Sequence, residues 1–202
     1  MKVLIKRAAA SILSVFAVGA MAIGSFSAMD QARTLAQTQA LIAGWPARSR
    51  HAAAALLEKY GAPDSAMADG LTWRRRGDWE RVEVHRDEAP AMRLGIIENV
   101  VRYDVPVGSW RDIYMLDLGV SYEPIGKLLS AASRSEETNI LALNVAFDVI
   151  SDRRTFEDAR VFYKRTTRLA LSGKSSAYTR GLLFKPAQTE RQRQPGQLWP
   201  LP

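Results

Sequence analysis

The strongest periodic signal lies in the last third of the chain. Ile140 to Ile150 is apolar except at Asn144 and Asp148. It follows Ser133-x-x-Glu136, a capping-box spacing, with Glu136 and Glu137 at the positive end of a helix dipole. A helix buried on most sides is predicted there. Thr155-x-x-Asp158 opens a second helix running to about Leu171, with Phe156, Ala159, Phe162, Tyr163 and Leu169 facing inward and Gly173 as its stop. Upstream, Ala32, Leu35, Ala36 and Ala40 predict a short helix over 31–42, and a firmer helix begins at Trp45-Pro46 and ends at Tyr60-Gly61. Residues 62–70, with Pro63-Asp64 and Asp69-Gly70, read as a loop.

Between these helices the period changes to two. Val82 and Val84 alternate with charged neighbours, and the Gly-containing connection back to Leu71-Thr72-Trp73 predicts a β-hairpin, closed by Pro90. At least the second half of the β-branched run from Gly95 to Val105 reads as a strand that Pro106 ends, and Trp110 to Leu116 as one or two helical turns. Short strands near 120–122 and 128–132 flank the turn Pro124-Ile125-Gly126-Lys127. The strands do not alternate with crossover helices. The expected fold is therefore α+β, a small antiparallel sheet of the hairpin plus further strands, packed with N- and C-terminal helices.

The first residues have another logic. Lys2, Lys6 and Arg7 precede an uncharged stretch from Ala8 to Met29, and Ser25 and Ser27 place small side chains at −3 and −1 of a cut before Ala28. This is the layout of a secretory signal peptide. The rival reading is a retained inner-membrane anchor, since the stretch is long enough to span a bilayer, although its serines and glycines dilute it. The expected organisation is a signal over 1–27, one globular domain over 28–184, and a disordered Gln-, Arg- and Pro-rich tail over 185–202.

Composition narrows the chemistry. The 202 residues include no cysteine and two histidines, which excludes disulfides, thiolate-bound metals, iron–sulfur clusters, thiol catalysis and a three-histidine centre. The formal charge is +7, and removal of the leader takes three cations with it and leaves +4. That is too small for a nucleic-acid binder. No cofactor or metal is expected. Gly173-Lys174-Ser175 lacks the upstream glycine of a phosphate loop and follows a helix, so nucleotide binding is excluded.

Two cationic groups are candidate binding residues. In the hairpin, Arg74, Arg75 and Arg76 stand beside Trp73 and Trp79, a mixture able to stack on bases or grip acidic sugars, but residues 71–88 hold five arginines and five acids and are neutral as a whole. The second group is Arg160, Lys164 and Arg168 at helical spacing, with Arg165 beside it, a row suited to phosphate or lipid headgroups unless it merely lines the solvent side. Nothing marks a nucleophile for His51 or His85, and no residue is assigned as catalytic. Asn144 and Asp148, one turn apart on an apolar helix, read either as a hydrogen-bonded structural pair or as a proton-active site.

Trp45-Pro46, Lys59-Tyr60-Gly61-x-Pro63-Asp64, Trp73-x-x-x-Gly77-x-Trp79-x-Arg81, Asn139-x-Leu141-Ala142-Leu143-Asn144-x-Ala146 and Glu157-x-Ala159-Arg160-x-x-Tyr163 resemble a family of bacterial proteins of unknown function, over residues 45–163. The resemblance implies one continuous fold and no established activity. It also implies a His-Pro motif after the hairpin and a cysteine in a later strand, where this chain has Pro90-Ala91-Met92-Arg93 and Ala131-Ala132. The function expected is that of a non-enzymatic, soluble periplasmic protein that binds an envelope protein or an anionic lipid or polysaccharide, with no nucleic acid. The alternative is a cofactor-independent hydrolase using carboxylates and possibly His85. Convergence of His85 with Asp148 and Asp112 or Asp117 in one cleft would mark it.

Overall fold

Proline and glycine set the first boundaries. The computed structural model describes residues 29–87 and 95–187. Helix α1 (29–43) leads to α2 (Ala47–Tyr60), which Pro46 precedes in an extended conformation and Gly61 ends at φ 74°, its N–H bonded to Leu57 O. Ala52, Ala53, Leu56 and Leu57 form the buried stripe of α2. The leader, Pro90 and residues 188–202 lie outside the described residues. Among the described residues no helix is long and apolar enough to cross a membrane.

Six strands follow: β1 (Ser65–Met67), β2 (Gly70–Arg76), β3 (Trp79–His85), β4 (Ile97–Arg102), β5 (Val120–Glu123) and β6 (Leu128–Ser133). They form one antiparallel sheet in the order β1-β2-β3-β4-β6-β5. A 3-10 turn (Val107–Ser109) and α3 (Trp110–Leu116) connect β4 to β5, and α4 (Glu136–Ile150), α5 (Phe156–Leu171) and α6 (Ala177–Arg180) follow β6. The fold is α+β, with helices at both ends of the antiparallel sheet.

The register sorts the two faces. Leu71 opposite Val84, Trp73 opposite Val82, Val84 opposite Ile97, Val101 opposite Leu129 and Leu129 opposite Tyr122 place one continuous apolar face under the helices. Helix α2 packs on β2 and β3, and α4 on β4, β5 and β6. With α5 and α6 against its other side, α4 is buried nearly all round, as its composition predicts. The opposite face of the sheet carries Thr72, Arg74, Arg81, Glu83, His85 and Glu98.

Four sequence expectations need correction. Residues 65–67 form an edge strand where a loop is predicted. The N-cap of α4 is Ser135, whose hydroxyl accepts from Thr138 N, because Ser133 is held in β6 opposite Ile97. Leu169 is 38% exposed, and Thr166 takes the buried position on that side of α5. By contrast, the Thr155 cap on Asp158 N forms as predicted. Lys185–Ala187, assigned to the tail, lie along β4, with Ala187 N–H donating to Arg102 O at 2.8 Å.

Candidate anionic-surface site

The hairpin tip holds four of the predicted binding residues. Arg75 adopts a left-handed conformation, φ 52°, costly for a residue with a side chain. Alternation breaks there: Trp79 would share the polar face with Arg81 but is 9% exposed, and Trp73 is fully buried. Neither indole ring is free to stack on a ligand in solvent. Trp79 walls two clefts. One, of about 430 Å³, includes Tyr60, Arg76, Ile140, Arg180 and Leu182; the other, of about 130 Å³, includes Arg75, Arg102 and Lys185.

The charges around this tip are largely matched. Arg76 pairs with Asp64 at 3.3 Å, Arg81 with Glu83 at 3.1 Å, Arg102 with Glu80 at 3.4 Å and Lys59 with Glu136 at 2.7 Å. Arg74 is exposed opposite Arg81 and lines neither cleft. Of these pairs only Arg81–Glu83 joins two residues of the hairpin count, while Arg76 and Glu80 are matched by Asp64 and Arg102 from outside it.

Glu136 also organises a buried network that the sequence assigned to capping. Its Oε1 accepts from Tyr60 Oη at 2.7 Å and Asn99 Nδ2 at 2.9 Å, and Asn139 Nδ2 donates onward to Asn99 Oδ1 at 2.8 Å. Burial, then the bond to Glu136, pushes the Tyr60 phenol up to about 12. Burial pulls the Lys59 ammonium down, but its bonds to Glu136 and Tyr60, with the Glu136 charge, outweigh this and raise it. Between pH 10 and 12 the folded chain keeps a Tyr60 proton that the unfolded chain loses, so stability present below pH 10 should drain away as pH rises through 12. Denaturation midpoints across that range should fall less steeply in Tyr60→Phe; equal slopes would refute this assignment.

The second cationic group divides. Arg160 is structural: its guanidinium donates to Leu116 O and Met115 O, at the C-terminal end of α3, and lies 4.7 Å from the Phe156 ring centroid. Lys164, Arg165 and Arg168 are exposed on α5, and Lys174 follows two residues after its C-cap. No acidic partner meets these four among the described residues. On the same side of the helix, Val161 is 66% and Leu171 86% exposed. From the sequence, Lys174 is named only in the rejected phosphate-loop match and Leu171 only as the end of the helix, and neither is joined to the cationic row.

The remaining polar candidates scatter. Asp148 is buried against α5 and α6, accepting from Arg154 Nε and Tyr178 Oη, both at 2.8 Å. Asn144 holds the chain after α6, donating to Tyr178 O and Gly181 O and accepting from Leu183 N. His85 projects from the far face of the sheet, and Asp112 is exposed on α3. They share no cleft.

The architecture is thus a six-stranded antiparallel sheet with helices on one face and a basic, partly apolar helix surface. Comparison with family models, curated proteins and solved structures finds no match to this chain.

Proposed function

We propose that this is an exported, non-enzymatic protein of the bacterial envelope that associates with anionic lipid through the outer side of α5. The observation that carries this is the set of cations without acidic partners, Lys164, Arg165, Arg168 and Lys174, beside the exposed side chains of Val161 and Leu171. Lysine and arginine near an anionic leaflet each contribute about 1 kcal/mol, and an apolar side chain reaching the acyl boundary adds to that. A polysaccharide would use the charges and leave Leu171 in water.

Export rests on the basic, apolar and small-residue order of the leader; protein recovered from cells should begin near Ala28, and a start at Met1 would favour the anchored form. For the surface, vesicles containing phosphatidylglycerol should sediment the protein at low salt and pure phosphatidylcholine should not. Lys164→Glu with Arg168→Glu should weaken that binding at least tenfold, with Arg75→Glu as an unaffected control. Unchanged sedimentation of the double variant would overturn the proposal.

A further inference from the structure

Away from α5, the polar face of the sheet carries a cluster with metal-ligand chemistry. Glu83 and His85 are two residues apart on β3 and therefore project from the same face. Glu98, on β4, is the direct cross-strand partner of Glu83. Two carboxylate oxygens and one imidazole nitrogen lie within 4.8 Å of one another, and all three residues are partly buried.

As the protein alone, this arrangement is unfavourable. Carboxylates directly opposed across a ladder repel, and partial burial strengthens the repulsion. Glu83 has some relief: Arg81 Nε stands 3.1 Å from its Oε1, and the Thr72 hydroxyl donates to the same atom at 3.4 Å. Among the described residues the Glu98 carboxylate has no hydrogen bond or ion pair. The second, independent observation is His85: its Nε2 is shut off from solvent and has no hydrogen-bond partner. A buried ring nitrogen left unpaired is destabilising. A positive ion that accepts electron pairs would relieve both defects.

We propose that Glu83, His85 and Glu98 bind a divalent transition-metal ion of the Zn²⁺ class, leaving at least one coordination position for water. One imidazole with two carboxylates suits Zn²⁺ or its neighbours better than Mg²⁺ or Ca²⁺, which take oxygen ligands almost throughout. At metal–ligand bonds of about 2.1 Å, ligand atoms of a tetrahedral site stand about 3.4 Å apart, so the three ligand atoms, now within 4.8 Å of one another, have to draw together only slightly. The composition, with no cysteine and two histidines, gives no reason to expect a metal, and Glu98 belongs to a different strand from His85, so only the register joins them.

The purified chain, stripped with EDTA and titrated with ZnCl₂ by calorimetry, should take up one equivalent and melt at a higher temperature, with MgCl₂ giving neither effect. His85→Ala and Glu98→Gln should each weaken Zn²⁺ binding at least tenfold, and His51→Ala should not. Without metal, Glu98→Gln should melt no lower than the parent, since an amide removes the repulsion; this separates ligand loss from misfolding. Absence of stoichiometric binding by the parent chain, or parental affinity in both His85→Ala and Glu98→Gln, would overturn the site.

Discussion

Trp73→Ala is expected to lower the unfolding free energy by about 4 kcal/mol, through lost burial and the cavity left behind. Trp73 is the largest of the fully buried side chains. It sits opposite Val82 in the ladder, with its ring centroid 6.3 Å from that of Tyr60. Its indole N–H donates to Gly61 O at 2.9 Å, fastening the C-terminal end of α2 to the sheet. Truncation therefore also leaves that carbonyl unpaired. For a chain of this size about 4 kcal/mol corresponds to a fall of about 8–16 °C in Tm. Trp73→Phe keeps most of the area but loses the donor, and should cost about 2 kcal/mol. A thermal melt of Trp73→Ala within a degree or two of the parent would mean that α2 does not close over β2.

Glu136→Ala should cost about 3 kcal/mol, although the residue occupies the first turn of a helix, where alanine is intrinsically favourable. The loss comes from what the carboxylate satisfies: Asn99 is fully buried and Tyr60 half-buried, and both donate to Oε1. Removing the acceptor strands buried donors, which costs more than a made bond contributes. Glu136→Gln keeps an acceptor and should lose about 1 kcal/mol. The ion pair itself is minor, because the Lys59 side chain is 53% exposed, and Lys59→Met should cost under about 1 kcal/mol. Urea unfolding of the three variants checks this order; a Lys59→Met loss equal to that of Glu136→Ala would assign the energy to the ion pair instead.

The same residue illustrates what could be read from sequence. Glu136 was visible as a helix-start acid because capping is local, three residues deep. Its actual partners, Lys59 and Asn99, are 77 and 37 residues away and carry no local mark. The long elements were legible for a similar reason: α4 and α5 write their period into consecutive residues, and β3 its alternation. Strand β1 was not, because Ser65-Ala66-Met67 has no alternation and depends on pairing with β2. Trp79 is buried beside a left-handed arginine, which nothing in the sequence marks. Of the candidate binding residues, the helix-face cations were found by spacing, and Arg160 left that group because of carbonyls on α3, a tertiary fact.

The residues of the motifs quoted from the sequence have structural roles. Trp45 and Ala159 are core, Lys59, Tyr60 and Asn139 belong to the Glu136 network, Gly61 and Trp73 share a hydrogen bond, and Asn144 pins the segment after α6. These roles are structural, and none of them implies a reaction.

The two outer strands have a final consequence. At one margin of the sheet β1 offers three residues, and at the other β5 offers four before Pro124 turns the chain away. A foreign strand would find little backbone to template on at either margin, so the sheet is guarded against fibril-like stacking by brevity rather than by added charge.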